Sequence, residues 1–191
     1  MKSLKGTQTE KNLLASFAGE SQARNRYTFF ASKAKKEGYE QIAAFFLETA
    51  ENEKEHAKRF FKFLEGGDLE IQATFPAGVI GTTAENLKAS AMGENEEHSV
   101  IYPEAAKIAD EEGFPEVAKV FRHIASVEAH HEARYLGLLK NIEDGTVFKK
   151  DQKLQWKCRN CGYITDMAEA PAKCPACDHT QSYFEVNCEN Y

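Results

Sequence analysis

Residues 126–135 read SVEAHHEARY, and the fold turns on how this stretch is read. Outward from it by threes and fours, Val117, Phe121, Ile124, Glu128, His131, Tyr135, Leu138 and Ile142 fall on one stripe. Such a stripe is the buried seam of an amphipathic helix. Here a carboxylate and an imidazole stand where leucines ordinarily would. Glu132 and His130 lie off the stripe and are expected in solvent. Glu128 and His131 need a reason to be inside.

Three more helices can be traced. Over residues 7–38 the stripe is Leu13, Phe17, Glu20, Tyr27, Ala31 and Ala34, interrupted at Gly38. Ile42, Phe46, Thr49, Glu53, His56, Phe60 and Leu64 mark a second helix, stopped by Gly66-Gly67. Residues 66–82 have glycines and a proline but no helical period, so they form a connection. Thr82 or Thr83 starts a third helix with Leu87, Glu94, Ile101, Ala105 and Ile108 on its seam. Pro103 lies inside it and is expected to bend it or open its hydrogen bonding. The fourth helix is the opening stripe, ending near Gly145.

The two halves repeat. KKEGYEQIAAFF (35–46) lies over DEEGFPEVAKVF (110–121) at an offset of 75 residues. At that offset Glu53 matches Glu128, His56 matches His131, and Arg59-Phe60 matches Arg134-Tyr135. Gly19-Glu20 matches Gly93-Glu94 at 74. A duplicated two-helix unit with short internal loops and one long connection predicts a four-helix bundle with a single crossover over residues 1–150.

Each half therefore sets one glutamate (Glu20 or Glu94) and one Glu-x-x-His (Glu53/His56 or Glu128/His131) in its seam. Positions i and i+3 project to one side of a helix, so each Glu-x-x-His can offer two ligands to one ion. Glu97, three residues after Glu94, adds another carboxylate where the first half has Ala23. The charge count agrees. Residues 151–191 hold 6 acids and 4 bases, leaving 24 acids and 20 bases before them. Without the five seam glutamates the bundle is nearly neutral, so its negative charge resides in this cluster. Buried unpaired carboxylates are costly, and two metal cations would offset them. Carboxylates with one imidazole per metal suit iron or manganese better than structural zinc, and the set follows the general pattern of di-iron carboxylate bundles.

The tail, residues 151–191, is too small to fold readily without a staple. Cys158 and Cys161 form one C-x-x-C and Cys174 and Cys177 another, 12 residues apart. Four thiolates in two such turns can enclose one metal tetrahedrally. Spacing alone leaves a structural zinc ribbon open. The forms C-x-x-C-G-Y and C-P-x-C resemble rubredoxin and favour iron, although the interval between the pairs is shorter than in free-standing rubredoxins. Gly162 can let backbone N–H groups turn toward sulfur, which tunes a redox centre. His179 is expected at the surface, and Cys188 as a free thiol.

A net charge of −6 argues against nucleic acid or an anionic membrane as partner. The first residues show no signal peptide, and no stretch reaches the length of a membrane span, so the cytoplasm is expected. Neither G-x-G-x-x-G nor a P-loop occurs, so no nicotinamide or nucleotide site is expected and reducing equivalents must come from outside.

Taken together, Glu20, Glu53-x-x-His56, Glu94-x-x-Glu97, Glu128-x-x-His131 and CRNCGY…CPAC resemble rubrerythrin over nearly the whole chain. The resemblance implies a ferritin-like di-iron bundle joined to a small β-rich, rubredoxin-like domain. It implies a non-haem di-iron peroxidase that reduces hydrogen peroxide to water, and one Fe(Cys)4 iron that returns electrons singly. It also implies that His56 and Glu97 exchange as ligands with oxidation state. Tyr27, one or two turns from Glu20, and Tyr102 are candidates to hydrogen-bond near the site, the alternative being that both simply pack. It further implies an external donor, rubredoxin or a reductase, and a cytoplasmic homodimer with one subunit's tail against the other's bundle. A ferroxidase using the same bundle, and a metal-storage or zinc-ribbon interaction protein, are the alternatives.

Overall fold

The computed structural model describes residues 2–190. The bundle comprises α1 (Gln8–Lys36), α2 (Glu40–Phe61), α3 (Thr83–Glu96), α4 (Tyr102–Glu111) and α5 (Pro115–Glu143). A π turn, Glu97–Ile101, joins α3 to α4, so these three pieces form the third rod of the bundle. Helices α1 and α2 make one hairpin, and the third rod and α5 make the other. Residues 62–82 cross between them without regular structure beyond turns and bends.

Helix ends follow from local chemistry. The Thr7 hydroxyl accepts from the Glu10 N–H, and Thr82 and Glu85 form a reciprocal capping box. Gly38 and Gly113, matched in the repeat, take positive φ of 83° and 81° and let the chain reverse at the two hairpin turns. The glutamate before each glycine then caps the opposite hairpin. Glu37 accepts from the N–H and hydroxyl of Thr83 at 2.8 and 2.5 Å, and Glu112 accepts from those of Thr9 at 2.8 and 2.6 Å. The internal two-fold is thus fastened at both ends.

The third helix opens its hydrogen bonding next to Pro103, as expected. The opening lies in the turn just before the proline, where the Tyr102 N–H bonds to the Glu97 carbonyl, five residues back. Proline has no N–H for the Ser99 carbonyl, and the wider turn redistributes the bonding upstream. One residue is accommodated as an insertion. The repeat records it, since Glu20 and Glu94 match at 74 while Tyr27 and Tyr102 match at 75.

Two apolar clusters lie above and below a polar layer. One contains Tyr27, Phe30, Ile42, Phe46, Leu87 and Tyr135, and the other Leu13, Phe60, Tyr102, Val117 and Phe121. The layer between them holds the buried glutamates.

The tail is a three-stranded antiparallel sheet of β1 (Lys149–Cys158), β2 (Ile164–Glu169) and β3 (Phe184–Val186), ordered β2-β1-β3. Trp156 is fully buried in it and donates its indole N–H to the Met167 carbonyl at 2.9 Å. At the bundle, Phe148 stacks on Tyr39, with ring centroids 6.2 Å apart. The tail therefore sits against the α1–α2 turn.

Candidate metal centres

Helices α1, α2, α3 and α5 each bring a fully buried glutamate to the polar layer: Glu20, Glu53, Glu94 and Glu128. The donors divide into two groups whose atoms lie within 4.8 Å of one another. Glu20, Glu53, His56 and Glu128 make one, and Glu53, Glu94, Glu128 and His131 the other. His56 Nδ1 lies 2.8 Å from Glu53 Oε2 and 2.9 Å from Glu128 Oε1. His131 Nδ1 lies 3.2 Å from Glu53 Oε1 and 2.8 Å from Glu128 Oε2. Glu53 and Glu128 each turn one oxygen to either half, as bridging carboxylates must.

Whether metals fit is decided by what these atoms fail to do. Glu20 Oε2, Glu53 Oε1, Glu94 Oε2, both Glu128 oxygens and His131 Nδ1 are buried without a hydrogen-bond partner among the described residues. Four carboxylates here share two imidazoles and two tyrosine hydroxyls, too few donors for their oxygens. Left alone, such groups are expensive. Two cations at the focus of the layer would satisfy them all. The residues fit.

Electrostatics of the metal-free layer agrees. Burial, then the charges of Glu53, Glu128 and Glu97, pushes Glu20 and Glu94 far above the carboxylate range. Burial with Glu128 and Glu53 raises Glu97 to about 8. Burial opposes the charge on His56 and His131, yet Glu128 and Glu53 raise them to about 10 and about 9. A raised pKa contributes stability below the unfolded value and loses it as pH rises through the folded one. The windows are therefore 4.5 to about 8 for Glu97 and 6.5 to about 10 for His56. Glu53, held low by both histidines against its burial, acts only below this range. Chelator-treated protein should thus melt at progressively lower temperature from pH 5 to 9, and iron binding should release protons. Thermal melts across that range check the sign.

The tyrosines are placed differently from a simple reading along α1. Tyr27 donates to Glu94 Oε1 and Tyr102 to Glu20 Oε1, each at 2.5 Å, so each hairpin's tyrosine serves the other's glutamate. Their matched offset was the available signal. Asn52, which sequence reasoning passed over, lies with Oδ1 3.3 Å from His131 Nε2. That contact lets Nε2–H donate and leaves Nδ1 for metal. Glu132 is not free in solvent as expected. It lies 2.6 Å from His98 Nε2 and accepts from Asn95, tying the π turn to α5, while His130 is exposed. Glu97 belongs to neither donor group and sits half-buried at the head of the π turn.

In the tail, Cys158, Cys161, Cys174 and Cys177 bring their sulfurs within 4.8 Å of one another. The pairs Cys158–Cys177 and Cys161–Cys174 are 3.7 Å apart. Metal–sulfur bonds of about 2.3 Å give a tetrahedral edge of about 3.8 Å. This site fits as well. Its two turns are alike: Gly162 and Asp178 share positive φ of 79° and 68°, and their N–H groups bond to the Cys158 and Cys174 carbonyls. The backbone N–H of His179 holds the Cys177 thiol down to about 6. His179 packs on Tyr183 and is not a fifth donor, and Cys188 is free and exposed.

The family model described as rubrerythrin matches residues 11–139. The chain belongs to the rubrerythrin family. The model for the rubrerythrin rubredoxin-like domain matches residues 156–185. Rubrerythrin of Porphyromonas gingivalis is 66% identical over 190 residues, spanning 100% of this chain and 95% of that protein. Rubrerythrin of Clostridium perfringens is 60% identical over the full length of both. Among solved structures, fully reduced, all-ferrous nigerythrin superposes with a TM-score of 0.64 at 31% identity, covering 97% of this chain and 92% of that one. Symerythrin from Cyanophora paradoxa, at 24% identity and a TM-score of 0.63 over 75% of this chain and 89% of that one, shares the fold. As a rubrerythrin-family protein, this chain has a non-haem di-iron centre in the bundle and one Fe(Cys)4 iron in the tail as its cofactors.

Proposed function

We propose that this chain reduces hydrogen peroxide to water in the cytoplasm, with electrons from an external rubredoxin or reductase relayed through the cysteine-bound iron. The ligands are those named above: Glu20, Glu53, His56, Glu94, Glu128 and His131, with Glu97 in reserve, and the four tail cysteines. When loaded, the iron pair supplies the two electrons that peroxide requires and the cysteine site resupplies them singly.

The observation that carries this reading is Glu97. It is a spare carboxylate on a widened turn, next to a donor set already complete without it. His56 is the more accessible histidine, with 13% of its side chain exposed against 3% for His131. The more exposed imidazole on one side and a spare carboxylate on the other suit a ligand exchange set by charge, since a ferric ion gains more from an added carboxylate than a ferrous one. Tyr27 and Tyr102 hold Glu94 and Glu20 still during that exchange through their hydroxyl protons.

Glu97→Ala should keep both irons in the reduced protein but slow its oxidation by peroxide about tenfold or more, in line with the loss of one charged contact. Stopped-flow absorbance at full iron loading measures it. Unchanged kinetics would remove Glu97 from the chemistry.

The relay needs a second copy. The tail packs at Tyr39, and Glu53 lies 14 residues further along α2, about 21 Å away along the axis. A homodimer that sets one subunit's tail beside the other's bundle shortens that path.

A further inference from the structure

A cavity of ≈ 550 Å³ opens beside the bundle site, bounded by residues 73–76 of the crossover, α1 and the π turn. Glu97 and Tyr102 form part of its wall, and Tyr102 donates to Glu20, so that wall stands one hydrogen bond from the metal layer. Hydrogen peroxide, with two heavy atoms, needs about the room of two waters, roughly 60 Å³. The cavity has the size of a small-molecule site. Its wall is mixed: Gln22, Arg26, Glu97 and Glu104 are among the polar side chains, and Phe75, Val100, Ile101 and Ile108 among the apolar ones. Phe75, Val100 and Ile101 leave much apolar surface uncovered.

Two glycines point the same way. Gly19 and Gly93 precede the matched glutamates Glu20 and Glu94, and both line the cavity. Neither has positive φ. A Cβ on Gly93 would meet nothing within 4 Å, and one on Gly19 only the Phe75 ring at 3.7 Å. Glycine inside a helix destabilises it relative to alanine. With no side chains of their own, the two glycines leave this wall of the cavity open.

We propose that the cavity holds the alkyl arm of an organic hydroperoxide, making primary alkyl hydroperoxides a second substrate class. This rests on the peroxidase reading and extends it. The hydroperoxy end lies by Glu97 and Tyr102, and the alkyl chain runs along Phe75, Ile101 and Ile108. The O–O bond of ROOH breaks, and two electrons from the reduced iron pair with two protons from solvent yield ROH and water.

The test mixes anaerobically reduced, iron-loaded protein with hydrogen peroxide or hexyl hydroperoxide and quantifies hexan-1-ol. Both should oxidise the protein, with about 1.5 alcohols released per chain, from three one-electron irons and two electrons per hydroperoxide. Gly93→Leu and Ala15→Phe, which fill the void, should each slow the hexyl reaction about tenfold relative to the hydrogen peroxide reaction. A second readout needs no turnover: hexan-1-ol titrated into zinc-loaded protein should give saturable NMR shifts that both variants lose. If hydrogen peroxide is reduced but hexyl hydroperoxide is inert, or if both folded variants keep the wild-type rate ratio, the cavity proposal is wrong. If neither peroxide reacts, the peroxidase reading itself fails.

Discussion

Iron content in the Glu128→Ala variant should fall from about three atoms per chain to about one, because metal affinity depends on every donor of a shared site. Glu128 offers one oxygen to each half of the layer, lying 2.9 Å from His56 and 2.8 Å from His131. Its loss strips a donor from both metal positions at once, unlike loss of Glu20 or Glu94, which face one half each. The cysteine site folds on its own sheet and keeps its metal, so the red colour of ferric Fe(Cys)4 should persist. Iron analysis with a visible spectrum reads both results. A variant that retained three irons would show that Glu128 does not bridge.

Cys158→Ser should have the mirror-image effect. Its sulfur is buried and 3.7 Å from Cys177, so replacement opens the tetrahedron and the tail loses its metal and much of its stability. The bundle keeps its two irons, since its clusters and caps lie within residues 2–143. The prereduced variant should still consume about one peroxide per iron pair and then stop, by the two-electron balance. Wild type supplied with the same donor continues. Steady turnover falls by about a hundredfold or more if the donor has no other route, which is the scale of removing a required redox partner. Turnover at the wild-type rate would make the cysteine domain structural and favour a ferroxidase reading of the bundle.

Much of this architecture was legible because buried carboxylates interrupt an apolar period and do so twice at a fixed spacing. Glu53-x-x-His56 and Glu128-x-x-His131 announced both the helices and the layer in which they meet. The cysteine pairs were legible for a related reason, since two C-x-x-C turns in a tail too small for its own core leave few other roles. What remained hidden depends on azimuth rather than period. A change from 74 to 75 in the repeat marked the π turn, but it became readable only once the Tyr102 N–H was seen on the Glu97 carbonyl. The crossed pairing of Tyr27 with Glu94 and Tyr102 with Glu20 requires the relative placement of the hairpins. So does the meeting of Glu132 with His98, two residues that no local pattern connects.

The central claim is that a two-metal carboxylate site in this bundle delivers electron pairs to peroxide. Anaerobic titration of the fully reduced, iron-loaded protein with hydrogen peroxide, followed by its visible spectrum, tests it most directly. The account predicts a sharp end point at about 1.5 peroxides per chain, from three one-electron irons and two electrons per peroxide. The bundle should oxidise first and the red cysteine-bound iron should follow it. Oxidation by air at an equal or greater rate than by peroxide, or an end point with the bundle irons still ferrous, would contradict it.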